Sequence, residues 1–244
     1  REKASKIMAD TYLIPNDFEL FKKSSYLNDK LFILKKTNVS LRKGISLKTK
    51  KQILEDNNYK DYNIIQDYVI NQKLINGYIY NLRLYIIIDC EKGIYIMDDG
   101  LIYYNTRKFN KNNINLGNGI SELPKKNNNF TEDFYVNNNL PSTIKELKNI
   151  FGLVNYNKMM NSIINNFKSL YSLKEMCNDN INKNKKSRNI FGPDIIVLDD
   201  FTTRICEINS TPIIRTNFKP FKKVNKKILF DFKNRNYDKY IKLI

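Results

Sequence analysis

The sequence predicts an α+β fold, with mixed or antiparallel sheets flanked by helices. Three observations carry this. Short β-branched runs bounded by turn residues recur along the chain, as in Leu31–Leu34, Ile45–Leu47 and Ile195–Leu198. The longer stretch Gly77–Asp89 alternates and then turns wholly apolar, the pattern of a buried strand. Met159, Ile163, Phe167 and Leu170 recur at helical spacing and form a core-facing stripe.

Taken in order, Thr11–Phe21 is an extended lead broken by Pro15, then a short helix start with Asn16 as its cap. Leu31–Leu34 is a strand ending at Lys35. The polar loop Lys36–Lys43 closes at Gly44, and Ile45–Leu47 is the return strand. A strand, basic loop and strand can lay N–H groups and a lysine over phosphates, and any lysine-rich hairpin looks the same. Lys48–Asp56 reads as a short helix and Ile64–Ile70 as a strand. Within Gly77–Asp89, Arg83 sits between Leu82 and Leu84 and needs a partner there, either an acid of the protein or an anionic ligand. Ile94–Met97 and Leu101–Tyr104 read as a hairpin turning at Asp98-Asp99-Gly100.

Asn110–Asn139 is a polar loop rich in asparagine. Pro141–Phe151 begins a helix, with Ser142 as cap and Glu146 in its first turn. Asn178–Arg188 is a basic loop. Lys219–Leu229 is a basic amphipathic segment, and helix is expected to continue towards Ile244.

Composition narrows the chemistry. The 244 residues allow one large domain or two small ones. The formal net charge of +17 calls for an anionic partner. The absence of histidine removes histidine triads, ligands and proton shuttles. Cys90, Cys177 and Cys206 are scattered and read as reduced thiols of an intracellular protein without a zinc site. No apolar run reaches the length of a membrane-spanning helix, so no membrane partner is expected. No nucleic-acid module is recognisable, and none of that class is expected as a partner.

The stretch with most chemistry is Phe191–Pro212, FGPDIIVLDDFTTRICEINSTP. Ile195–Leu198 and Arg204–Ile208 are its strands and Asp199–Thr202 its turn. Asp194 opens the first strand. Glu207 and Asn209, two apart on the second, share a face. A closed hairpin brings Asp194 beside that pair. Two carboxylates and an amide oxygen form a hard-oxygen set suited to Mg²⁺. A surface hairpin with solvated acids is the other reading of the same spacing.

In order along the chain, TYLIPNDFELF, LFILKK…GI, IIQDYVINQKLINGYIYNLRLYIII, IYIMDDGLIYYNTRKF and the hairpin ending E-x-N-x-x-P resemble the tubulin–tyrosine ligase-like enzymes, a family with the ATP-grasp fold. The resemblance implies a division into residues 1–30 (a lead-in and the remnant of an N-terminal subdomain), 31–75 (a central subdomain) and 76–244 (a C-terminal subdomain with the metal hairpin), enclosing a nucleotide. It implies that Lys35 contacts the phosphates of ATP, that Gln66 and the backbone of Tyr68 and Val69 border the adenine, and that Arg83 meets the γ-phosphate and an acyl-phosphate intermediate. Lys35 and Arg83 would be the catalytic pair. Asn118 would match an asparagine of the nucleotide site, and Asp194, Glu207 and Asn209 would hold Mg²⁺.

The chain departs from the family pattern at Leu41 (with Arg42 and Lys43 beside it), Ile79, Asn81 and Tyr103, where the resemblance expects charged residues. The implied reaction is ATP- and Mg²⁺-dependent ligation of a free amino acid (tyrosine, glutamate or glycine) to an acidic protein tail such as tubulin's. The protein would act as a cytoplasmic or cytoskeleton-associated monomer. The departures keep a second reading open: a non-catalytic ATP-grasp protein that binds acidic tails or microtubules.

Overall fold

The computed structural model describes residues 7–36, 44–110, 132–170 and 187–243. The chain divides into two compact units, Arg1–Asn71 with Asn105–Asn129, and Gln72–Tyr104 with Phe130–Ile244.

The first unit holds a four-stranded sheet of β1 (Thr11–Leu13), β2 (Leu31–Lys35), β3 (Ile45–Thr49) and β4 (Ile64–Asp67), in the order β1-β4-β2-β3 and antiparallel throughout. Alternation along β2 gives the sheet two characters. Phe32 and Leu34, with Ile65, face a core completed by Phe21 of helix α1 (Phe18–Lys22) and Ile53 of helix α2 (Lys50–Glu55), all at 0% exposure. Ile33, Lys35 and Gln66 fall on the other face. The cap of α1 is Asp17, one residue beyond the expected Asn16; its carboxylate accepts from the Leu13 N–H at 2.9 Å. Helix α2 begins later than Lys48 because Thr49 and Gln52 close a capping box, Gln52 N–H to Thr49 Oγ1 at 3.2 Å and Thr49 N–H to Gln52 Oε1 at 2.9 Å.

The second unit is built on one long antiparallel pairing. The run expected as a single buried strand is two, β5 (Tyr78–Arg83) and β6 (Ile86–Asp89), and both lie against β9 (Arg188–Val197) in a common register. Leu82 opposes Ile195, Arg83 opposes Asp194, Ile86 opposes Phe191 and Asp89 opposes Arg188. The interruption at Leu84–Tyr85 falls where the partner strand offers Pro193, which has no N–H to donate; its carbonyl still accepts from Leu84 N–H at 3.1 Å. On β9's other side lies β10 (Thr203–Asn209).

The expected hairpin of Ile94–Met97 with Leu101–Tyr104 does not form. Strand β7 (Gly93–Ile96) pairs with β6, and β8 (Leu101–Lys108) neighbours β5. Because β5 and β6 follow one line, β7 and β8 do too, and Asp98–Gly100 is a jog between them. Gly100 is needed there, since a Cβ would stand 2.5 Å from the Arg83 carbonyl oxygen.

Helix α3 (Glu132–Asn137) lies within the stretch expected as loop. Helix α4 (Leu147–Lys168) buries Met159, Ile163 and Phe167 as the spacing predicted, but ends before Leu170, the fourth member of that stripe, which is half-buried; it breaks at Gly152 with φ 74°. It is tied to β10 by Asn166, whose Nδ2 donates to the Thr203 carbonyl at 2.9 Å. The 3-10 turn Ile144–Glu146 that leads into it is capped differently from the expectation: the Glu146 carboxylate accepts from the N–H of Ser142 at 2.6 Å and of Thr143 at 3.3 Å. Helix α5 (Lys219–Asn234) buries Phe221, Val224 and Ile228. The tail expected as helix leaves it at Arg235, φ 53°, and returns as β11 (Ile241–Lys242) beside β7. The turn is anchored by Arg235 Nε, 3.4 Å from Oδ2 of the fully buried Asp89.

Cys90 is disulfide-bonded, which corrects the reading of all three cysteines as reduced; Cys206 forms no disulfide, and Cys177 lies outside the described residues. Among the described residues no helix is long and apolar enough to cross a membrane.

Candidate functional site

Asp194 has Arg83 directly opposite on one side and Glu207 on the other. Directly opposed residues of an antiparallel pair share a face. Arg83, Asp194 and Glu207 therefore form a row across β5, β9 and β10. Asp194 lies within β9, not at its start as expected, because the strand begins at Arg188. The guanidinium grips the carboxylate with both edges, Arg83 Nε donating to Oδ1 at 2.6 Å and Nη2 to Oδ2 at 2.8 Å. Both side chains are 14% exposed, whereas Glu207 is open to solvent. Arg83 thus has the acid partner that was one of its two sequence readings.

A β-bulge sets the third member of the row. From Ile205 opposite Ile195, a regular ladder would put Cys206 against Asp194 and turn Glu207 to the face of Ile195. The register slips between Ile205 and Glu207, so Cys206 is the extra residue and Glu207 takes the place opposite Asp194. Asn209, two residues on, shares the face of Glu207. Its Nδ2 donates to Glu207 Oε1 and to the Gly192 carbonyl, each at 3.2 Å. Both bonds use the amide nitrogen, which presents Oδ1 as the atom for a cation.

Gly192 opposes Asn209, and its missing side chain is what the row is packed on. A Cβ there would stand 2.6 Å from Pro212 Cβ and 3.1 Å from Arg83 Cδ. The Gly-Pro-Asp and E-x-N-x-x-P motifs are thus two halves of one contact. The spacing pointed to the three oxygen ligands but carried no sign of this glycine's role.

Burial pushes the Asp194 carboxyl above the usual carboxylate range; Arg83 opposes this through its hydrogen bond and charge, and the nearby Glu207 adds to the rise. Burial works against the Arg83 charge, but the hydrogen bond and charge of Asp194 outweigh it and hold the guanidinium firmly protonated. The Tyr103 ring covers this pair, its centroid 5.5 Å from Arg83 Cζ.

Among the described residues no group of three or more His, Cys, Asp and Glu side chains is placed to hold a metal ion. The donor set at the row is two carboxylates and one amide oxygen. It fits Mg²⁺, which takes one or two protein carboxylates and fills its shell with water or phosphate oxygen. Asp194 accepts from Arg83 through both oxygens and keeps lone pairs for a metal.

In the first unit, Lys35 Nζ donates to Gln66 Oε1 at 2.8 Å, Gln66 Nε2 to Thr11 Oγ1 at 2.9 Å, and Thr11 Oγ1 to the Ala9 carbonyl at 2.8 Å. This relay crosses three strands on the face turned from the core, and it orients the lysine through a glutamine only 4% exposed. Tyr68 is buried, and its N–H is spent on the Leu31 carbonyl at 3.1 Å. Val69 follows, half-buried. Asn118, Leu41, Arg42 and Lys43 lie outside the described residues. Ile79, Asn81 and Tyr103 are all half-buried on β5 and β8.

Comparison with known proteins follows the same outline. The chain matches the Tubulin-tyrosine ligase family over residues 1–238. It is also similar to the probable tubulin polyglutamylase TTLL2 of Homo sapiens, 29% identical over 111 residues. That stretch covers 43% of this chain and 19% of the relative, so the similarity spans a small part of the longer protein.

Proposed function

Because the chain belongs to the tubulin–tyrosine ligase family, whose fold is the ATP-grasp, we propose that it is an ATP- and Mg²⁺-dependent carboxylate–amine ligase that adds an amino acid to an acidic protein tail of the tubulin kind. The observation that carries this reading is the row Arg83–Asp194–Glu207 with Asn209 beside it. The similarity to a probable tubulin polyglutamylase supports tubulin as acceptor and glutamate as one candidate amino acid. The +17 charge supports an acidic partner, and no step of such a ligation needs a histidine.

Asp194, Glu207 and Asn209 would hold Mg²⁺. Bound Mg-ATP supplies the phosphoryl group that turns a carboxylate into an acyl phosphate, from which an amine displaces phosphate to form the amide. Arg83 contributes a fixed positive charge next to those ligands, kept protonated and oriented by Asp194. Lys35, in the first unit, would meet nucleotide phosphate with an ammonium that Gln66 directs. Catalysis of this class is positioning and charge neutralisation, for which pre-oriented cations suffice.

One observation favours the second reading, a non-catalytic binder: Tyr103, where the resemblance expects arginine, lays its ring over Arg83. Incorporation of radiolabelled glutamate, glycine or tyrosine into tubulin with Mg-ATP separates the two. The ligase reading expects label that depends on Mg²⁺ and falls to background in the Asp194→Ala, Glu207→Ala double variant. Tight binding of ATP with no label above that variant's would leave only the binder.

A further inference from the structure

Helix α5 gathers lysine. Six of its 16 residues are lysine, against three of the 22 in α4, so the positive charge is not spread evenly over the helices. Phe221, Val224, Asn225, Ile228 and Asp231 make the buried side of α5. At about 100° per residue, Lys219, Lys222, Lys223, Lys226 and Lys233 fall on the opposite side, and each is exposed. They run along roughly 21 Å of helix. The helix has one acid, Asp231, which is buried and already engaged: it accepts from Lys227 Nζ at 2.7 Å and from the Tyr240 hydroxyl at 3.1 Å. Among the described residues Lys222, Lys223, Lys226 and Lys233 have no carboxylate partner.

The stripe works against the helix that carries it. Lys219 with Lys223, and Lys222 with Lys226, stand four apart, a spacing at which like charges destabilise a helix. The element is held by its buried side, and the charge faces outward. Leu229 and Phe230 narrow the choice of anion. They are 41% and 62% exposed and sit on either side of the line from Lys226 to Lys233. A hydrophilic polyanion offers nothing to an aromatic ring left in water. A lipid headgroup layer does, because apolar side chains enter its boundary with the acyl chains while lysines stay at the phosphates. Shape argues the same way. Peptides are taken up by sheet edges, grooves or lined pockets. This stripe is instead the outward crest of one helix, exposed on both flanks. A planar charged surface asks for no more.

We propose that α5 lies flat on an anionic membrane surface, with its lysines at the headgroup charges and Phe230 and Leu229 entering the boundary beneath them. Clusters of four to eight basic residues on an amphipathic helix have the charge such a surface requires. The expectation of no membrane partner came from the lack of a run long enough to span a bilayer. That bears on crossing a membrane, whereas a helix that rests on one needs no such length. The inference does not depend on the ligase reading, which concerns the row Arg83–Asp194–Glu207. A membrane-attached ligase and a membrane-attached binder would use the same helix face.

The test is binding of the full chain to phosphatidylcholine vesicles with and without phosphatidylserine, followed by co-sedimentation. A glutamate-rich peptide and duplex DNA serve as hydrophilic polyanions. One variant carries Lys222→Gln, Lys223→Gln and Lys226→Gln together, a second has arginine at the same three positions, and a third is Phe230→Ser. All these side chains are exposed, so each variant is expected to melt close to the wild-type temperature. Wild type should bind the vesicles that contain phosphatidylserine and not those of phosphatidylcholine alone. The glutamine variant should bind them on the order of a hundredfold more weakly, roughly fivefold for each lysine lost. The arginine variant keeps the charge and should bind as wild type does. Phe230→Ser should bind the same vesicles about tenfold more weakly, with its affinity for peptide or DNA unchanged. No binding of wild type to phosphatidylserine vesicles, or equal binding of the glutamine variant, overturns the inference. Wild-type vesicle affinity in Phe230→Ser also overturns it, because the stripe would then be a contact for any polyanion. Binding to the peptide or to DNA without binding to vesicles assigns the stripe to that polyanion and overturns it as well.

Discussion

Glu207 stands opposite Asp194 because Cys206 is absorbed by a bulge, so a one-residue irregularity determines which side chain of E-I-N joins the row begun by Arg83. The face carrying the candidate ligands is thus specified by backbone register as much as by residue type.

The Arg83–Asp194 pair should behave as a unit. Replacing either residue by alanine leaves the other charge half-buried and should cost about 1.5–3 kcal/mol of stability, the range for hydrogen bonds to charged groups. The double variant should be no less stable than the worse single one, because neighbours in one ion pair are not additive. Urea unfolding of the four proteins measures the coupling; strictly additive losses would show that the bidentate contact contributes nothing in solution.

Gly192→Ala should be severe for a residue that bears no functional group. The new Cβ would meet Pro212 Cβ at 2.6 Å and the Arg83 stem at 3.1 Å. Overpacking of this kind costs about 1–3 kcal/mol. It should also move Arg83 and Asn209 together, so Mg²⁺-dependent nucleotide binding is expected to fall more than melting temperature alone would suggest. Calorimetric titration alongside thermal unfolding makes the comparison.

Gln66 links Lys35 to Thr11. Gln66→Leu preserves the bulk but removes both hydrogen bonds, leaving the Lys35 ammonium without its orienting oxygen. If Lys35 binds nucleotide phosphate, ATP affinity should fall about tenfold while adenosine binding changes far less. A parallel loss for both would assign Gln66 to the base and not to the lysine.

Asp99 carries a pH prediction. Burial raises its carboxyl above the ordinary range, against the N–H groups of Gly100 and Lys145, which donate to Oδ1 at 2.8 Å and 3.1 Å. A carboxyl whose pKa is higher folded than unfolded binds more protons in the native state, so its contribution to stability falls as pH rises from the unfolded carboxylate pKa through the folded one. Asp99→Asn keeps an Oδ1 acceptor without the charge. It should be more stable than wild type at neutral pH, and the advantage should shrink in acid as wild-type Asp99 protonates. A pH-independent difference would refute that account.

Much of the local pattern was legible. The strands at Leu31, Ile45, Ile64 and Arg204, the stripe Met159–Ile163–Phe167 and the amphipathic helix after Lys219 follow from period and from β-branched runs, which depend on near neighbours. The errors came where a distant partner decides. Ile94–Met97 and Leu101–Tyr104 look like a hairpin because Asp-Asp-Gly is a good turn, but β5 and β6 had already laid down the line both must follow. The tail was read as helix because nothing near Arg235 shows that Asp89 waits to hold it. At the site, Glu207 and Asn209 could be placed on one face by counting, whereas the bulge at Cys206 and the Gly192–Pro212 contact are tertiary and leave no local trace.

The pairing of β5 with β9 has a consequence for biosynthesis. Arg83 and Asp194 are separated by 111 residues of chain, so the ion pair closes a very long loop. Contacts of such sequence separation form late and slow folding. A ribosome that has released Arg83 has made only one side of the row, and Gly192 is not packed until Pro212 has followed it out. Any premature stop before Glu207 therefore yields a product with strands but an incomplete row.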